Sequence, residues 1–94
     1  MIEGELYVLV DSPKCVFAFK GKSGRTIYHY ACVNSSDEVK IPGTTFATGT
    51  LNSSSTRIAN DEERSRFYEY LHDYGYHYNM ANKKVIRIST GDLV

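Results

Sequence analysis

Through the first half of the chain, apolar and polar positions come in short runs cut by turn residues; only later does a helical period appear. ELYVLV (5–10), CVFAFK (15–20) and RTIYHYACV (25–33) are rich in β-branched and aromatic residues, and DSPK (11–14), GKSG (21–24) and NSSDE (34–38) separate them. This is the pattern of strands joined by turns. With DSPK and GKSG as four-residue hairpin loops, Val8 is expected opposite Phe17, and Phe17 opposite Tyr28. Leu6, Val10, Cys15, Phe19, Tyr30 and Cys32 then share that face. The other face carries Tyr7, Leu9, Val16, Ala18, Ile27, Ala31 and Val33, so both faces are apolar, and such a sheet must be covered twice or curl on itself. Weaker strands are expected through VKIP (39–42) and TTFATGTL (44–51), where Gly43 and Gly49 permit bending. LNSSST (51–56) reads as a polar link rather than a lid.

The helical period begins after Arg57, Ile58 and Ala59. Asn60 and Glu63 form a capping box, Asp61 and Glu62 suit the positive end of the helix dipole, and Phe67, Tyr70, Leu71 and Tyr74 follow as one stripe. Gly75 ends the element, which gives a helix over 61–74. YHY (76–78) and VIRI (85–88) then read as two short strands joined by NMANKK, with GDLV as a frayed tail. The cluster YEYLHDYGYHYNM (68–80) therefore divides between two periods, helical to Tyr74 and strand-like from Tyr76. Most of it is a packing seam, and Tyr68, outside the seam, is the ring on which a base could stack.

Composition narrows the class. The chain has 94 residues, 41% of them hydrophobic, with eight tyrosines and four phenylalanines. That supports one core and excludes intrinsic disorder. No apolar run approaches the roughly 20 residues of a membrane span, and the acidic N-terminus lacks the basic region of a secretory signal. A cytoplasmic location follows as an expectation. Eleven basic residues balance eleven acidic ones, which argues against a protein that coats nucleic acid. The charge is nonetheless polarised: Lys14, Lys20, Lys22 and Arg25 stand without acids among them, and residues 61–73 carry five acids against Arg64 and Arg66.

Candidate chemistry is sparse. Cys15 and Cys32 read as free thiols, too few for a disulfide scaffold or a zinc ribbon. His72, Asp73 and His77 lack the spacing of a zinc motif, since Gly75 separates the histidines. A Cys–His nucleophile pair built from Cys15 or Cys32 with His29 is disfavoured, because the register turns His29, a partly exposed strand residue, away from the thiols. GKSG lacks phosphate-loop spacing and leads into a strand. No cofactor or metal is expected.

RIANDEERSRFYEYLHDYGYHYNMANKKV (57–85) resembles the C-terminal half of small uncharacterised proteins carried by phages and mobile elements of gut Bacteroidales. The shared elements are Arg57, the acid-capped helix start at Asn60 to Glu63, Phe67, Leu71, the Gly75–Tyr76 step, Tyr78 where such proteins often have Trp, and the basic turn at Lys83 and Lys84. VFAFK, a glycine turn and IYHYACVNS look like the same proteins' N-terminal half. The resemblance implies a phage-type context and favours a binding role in the host cytoplasm: nucleic-acid handling, occupation of a host protein, or sequestering a nucleotide signal of host defence.

The sequence thus predicts an α+β fold: a small rolled antiparallel sheet or SH3-like partial barrel, one C-terminal amphipathic helix and a short terminal hairpin. A single domain over 1–94 divides into a β-roll (1–50), a connector (51–59), the helix (60–75) and the hairpin (76–90). Its expected function is non-enzymatic binding of nucleic acid or a host factor. The alternatives are capture of a small nucleotide in a pocket completed by a homo-oligomer partner, and a structural or assembly role in a phage. Candidate ligand-binding residues are Lys20, Lys22 and Arg25 at a hairpin tip, Tyr68, and Arg57, Lys83, Lys84 and Arg87.

Overall fold

The computed structural model describes residues 1–44 and 49–94. Eight strands and one helix follow in order: β1 (Leu6–Leu9), β2 (Ser12–Ser23), β3 (Thr26–Val33), β4 (Val39–Lys40), β5 (Thr50–Asn52), β6 (Thr56–Ile58), α1 (Asp61–Asp73), β7 (Tyr76–Asn79) and β8 (Lys84–Arg87). Among the described residues six strands form one antiparallel sheet in the order β4-β3-β2-β1-β6, and β5 also pairs with β3. β7 and β8 form a separate hairpin. The class is α+β, mostly antiparallel sheet with one helix. That helix lies mid-chain rather than at the C-terminus.

Both faces of the sheet are buried, as the doubly apolar strands require. Leu6, Val8, Val16, Ala18, Ala31 and Val33 face Phe67 and Leu71 of α1 and Tyr78 and Val85 of the hairpin. Tyr7, Leu9, Cys15, Phe17, Phe19, Ile27 and Cys32 form a second cluster on the opposite side, with Leu51 of β5 against it. The expected register is off by one between the first two strands: Tyr7, not Val8, stands opposite Phe17. The chain turns at Val10 and Asp11, so Ser12 pairs with Leu9 and Pro13 is taken into β2 beside an irregularity. A one-residue slip exchanges the faces of β1, which puts Leu6 and Val8 beneath the helix instead of beside the thiols.

The β2–β3 hairpin is also tighter than expected. Its loop is only Gly24 and Arg25, Phe17 faces Cys32 rather than Tyr28, and two irregularities follow. Ala18 pairs with Ala31 and Phe19 with His29, which leaves Tyr30 as an extra residue on β3; Gly21 then pairs with Tyr28, which leaves Lys20 extra on β2. Two bulges on facing strands restore the register and re-aim the side chains between them.

The helix begins where its capping box puts it. The Asn60 side chain accepts from the Glu63 N–H at 2.8 Å and the Glu63 carboxylate accepts from the Asn60 N–H at 2.9 Å. Phe67 and Leu71 are fully buried and Tyr70 is half-buried, whereas Tyr74, expected in the stripe, is 52% exposed. Gly75, at a φ of 89° that suits glycine, turns the chain from helix into β7.

Two further expectations change. Half of the link at 51–56 is strand: β5 and β6 take its ends, and the Ser53 N–H donates to the Arg25 carbonyl at 3.0 Å. The tail is not frayed, because Leu93 bridges Ile86 and the Val94 N–H donates to Val85. The strand expected through TTFATGTL lies partly on residues 45–48, outside the described residues, and its end is β5. No helix of the described residues is long and apolar enough to cross a membrane.

Candidate functional site: a basic cavity between the bulges and the hairpin turn

The two bulge residues open onto one hollow. Lys20, Tyr30 and His29 line a cavity of about 250 Å³ together with Ile41 and Pro42 after β4, Lys83, Lys84 and Val85 from the β7–β8 hairpin, and Leu93 and Val94 of the tail. Two basic clusters some sixty positions apart in sequence thereby meet: Lys20 from the first, Lys83 and Lys84 from the second.

The surroundings hold these groups in place. The Lys20 ammonium sits over the Tyr30 ring at 5.6 Å, and that ring stacks on Tyr78 with centroids 6.5 Å apart. Tyr78, in turn, donates from its hydroxyl to the Gly4 carbonyl at 2.7 Å, and the Gly4 N–H donates to Phe19 at 2.7 Å. Lys83 runs its stem across Gly4, so closely that a Cβ there would lie 2.8 Å from Lys83 Cγ. Its own backbone is left-handed at a φ of 58°, a conformation that costs a non-glycine residue about 1 kcal/mol or more. Lys83 pairs with Glu3 at 3.3 Å, and burial together with that same carboxylate pushes the Tyr30 phenol pKa up. Lys83 is thus paired with Glu3, while Lys20 and Lys84 make no ion pair among the described residues.

His29 was expected as a partly exposed strand residue; it is 2% exposed. The bulge at Tyr30 changes the alternation of β3, so that Ile27 packs in one cluster and Ala31 in the other. Burial lowers the His29 pKa to about 4, so the imidazole is neutral at pH 7, and Nδ1 has no hydrogen-bond partner. Such an atom typically costs about 1 to 3 kcal/mol when left unsatisfied. His29 also lines a smaller cavity of about 190 Å³ with Cys32, Asn34 and Lys40. The sequence register separated His29 from the thiols, and the bulge undoes that separation. Among the described residues, however, no hydrogen bond joins His29 to either sulfur. Cys15 and Cys32 are free and buried with their sulfurs 3.5 Å apart, and contact with Cys15 plus burial hold the Cys32 thiol well above its ordinary range.

The other candidates lie apart from the cavity. Lys22 and Arg25 are exposed at the β2–β3 tip. Arg57 grips Glu63 through two 2.8 Å hydrogen bonds, which serves the helix start and keeps the Glu63 carboxyl below its usual range. Tyr68 is half-buried, edge-on to Phe67 at 5.4 Å and tilted against His77 at 6.1 Å, so its ring is packed. Arg87 is exposed on β8. Nitrogens of His72 and His77 lie 3.0 Å apart, but no group of three or more potential metal ligands gathers among the described residues.

A larger concavity of about 570 Å³ lies between β2 and the start of α1, lined by Lys14, Glu62, Glu63, Arg66 and Glu69 among others. Much of its charge is already engaged. Glu63 holds Arg57, and Arg66 donates to the Lys14 and Asn34 carbonyls and to Asp37. The basic cavity differs in having unspent groups. His29, Tyr30, Ile41 and Pro42 escaped sequence reasoning; the only local signal was a histidine inside an otherwise apolar strand.

Comparison with protein-family models, with curated proteins and with solved structures finds no match for the chain.

Proposed function

We propose that the chain is a non-enzymatic binding protein whose ligand is a small anion captured in the basic cavity. The observation that carries this reading is the convergence of Lys20, Lys83 and Lys84 around a hollow containing an unpartnered, neutral imidazole. Its volume of about 250 Å³ is just below the roughly 300 to 1,000 Å³ of ordinary small-molecule sites, so a compact ligand fits and an extended polymer does not. In this reading the curled sheet is an SH3-like partial barrel: β4 and β5 share one edge of β3, and the cavity opens beside that edge. A phage-type protein acting in the host cytoplasm by sequestering a small nucleotide signal is the setting the sequence resemblance supplies.

Nucleic acid at the hairpin tip is the second reading, favoured by the exposure of Lys22 and Arg25. Two or three phosphate contacts give a salt slope of only about −2 to −3, hence weak binding at physiological salt. Occupation of a host protein or a structural role in a phage needs no cavity at all.

Thermal unfolding with inorganic phosphate and with ribose 5-phosphate separates these readings. A ligand at about a hundred times its Kd stabilises by about 2.7 kcal/mol. Lys20→Glu with Lys84→Glu is expected to abolish that stabilisation, and Lys22→Glu with Arg25→Glu to leave it intact. The reverse pattern would move the site to the tip; no stabilisation of the unaltered protein by either compound would end the small-anion reading.

A further inference from the structure

The chemistry of the cavity is divided, and the division specifies its ligand more closely than charge alone. Lys20 and Lys84 are exposed and Lys83 is half-exposed, so the cationic groups stand at a wet rim. The rest of the lining is buried His29, buried Ile41 and Val85, with half-buried Tyr30 and Pro42 and the exposed tail residues Leu93 and Val94. A multiply charged anion taken down to His29 would lose its hydration at a cost of several kcal/mol, with no cation beside it to compensate. Left at the rim it meets the Lys20 and Lys84 ammonium groups, and that of Lys83 beside its Glu3 partner, and keeps its water. What enters the interior must therefore be uncharged and flat or apolar enough to lie against Pro42 and Val85. A polar edge on it suits His29, whose ring lines the cavity and whose Nδ1 has no hydrogen-bond partner. The neutral ring satisfies such an edge in either tautomer, donating from N–H or accepting at the lone pair.

We infer that the cavity takes a phosphate monoester of the nucleoside monophosphate class, with the phosphate on Lys20, Lys83 and Lys84 and the polar edge of the base on His29. This rests on the small-anion reading and adds to it a specificity-determining residue. Volume sets the size: about 250 Å³ accommodates one base and leaves no room for a second nucleoside. The Tyr30 face is already covered by Lys20, so ring stacking on tyrosine is not the source of affinity. Discrimination comes from the hydrogen bond at His29, because a site built to bond a polar group rejects a ligand that lacks one.

Isothermal titration of the unaltered protein with inorganic phosphate, ribose 5-phosphate and the four common nucleoside monophosphates tests this. At least one nucleotide is expected to bind tenfold or more tightly than ribose 5-phosphate, and the four bases are expected to differ among themselves. His29→Phe, which keeps a buried ring and removes the nitrogens, is expected to erase the advantage of the base over ribose 5-phosphate. Equal binding of ribose 5-phosphate and all four nucleotides overturns the inference and leaves the anion site standing. Failure of every phosphate compound to bind overturns both. The ligand series on the unaltered protein decides the matter even where His29→Phe does not fold.

Discussion

Replacing Phe67 with alanine is expected to remove about 3 to 5 kcal/mol of folding stability, the usual cost of emptying an aromatic core site. Phe67 is fully buried on the inner face of α1, where its ring meets Tyr78 edge-on at 5.9 Å and Tyr68 edge-on at 5.4 Å. It joins three parts of the fold, since Leu6, Val8, Ala18 and Ala31 of the sheet belong to the same cluster. Neither Tyr78, fixed through its hydroxyl to Gly4, nor the capped helix is free to close the hole. For a domain of this size about 1 kcal/mol shifts Tm by roughly 4 to 8 °C, so a fall of about 12 °C or more is expected. Tyr74→Ala serves as the control. Tyr74 sits at the end of the same predicted stripe but is half exposed, and its loss is expected to move Tm by only a few degrees. Equal shifts for the two variants would mean that α1 does not bury this face.

Acid is expected to act through His29 before it acts through the carboxylates. The imidazole has a pKa of about 4 in the folded chain because burial disfavours its charged form, against about 6.5 when unfolded. Between those values the unfolded chain binds the proton and the folded chain does not. The contribution is therefore fully present above about pH 6.5 and is lost as pH falls toward 4, amounting to roughly 3 kcal/mol. Glu5, held down by the Leu6 N–H and Arg64, Asp37 by Arg66, and Glu63 by Arg57, add losses only at lower pH, below their unfolded values. Urea unfolding from pH 7 to pH 5 isolates the histidine. The unaltered protein is expected to weaken steadily across that window and His29→Phe to stay nearly level. A flat profile for the unaltered protein would mean that His29 is not held neutral by burial.

The parts of the fold legible in the sequence were those encoded locally. Asn60 and Glu63 are three residues apart and specify the helix start unaided, and Gly75 marks the change from helix to strand. Register was not legible between β1 and β2, because Leu6 and Val8 on one face and Tyr7 and Leu9 on the other are equally apolar. Alternation then gives no parity, and Pro13 drew the expected loop into what is strand. Cys15, Phe17, Phe19 and Cys32 were nonetheless placed together, since the hairpin error between β2 and β3 was an even number of residues.

Much the same reason governs the site. Lys20, Lys83 and Lys84 were recognisable as exposed cations, but their meeting depends on two bulges and on the packing of the β7–β8 hairpin beside β3, which no local pattern records. Arg57 looked available because its partner, Glu63, was already assigned to the cap; the carboxylate does both jobs. His29 lies on the side of the thiols, against regular alternation, because the strand carries an extra residue at Tyr30.

Amide chemical-shift mapping with ribose 5-phosphate locates the anion site, because it reports where a small anion sits whatever its affinity. The amides expected to move are those of Lys20, His29, Tyr30, Lys83, Lys84 and Val85, with Ser23 to Thr26 unmoved. Shifts confined to Ser23 to Thr26, or none at saturating ligand, would mean that the cavity is not the anion site.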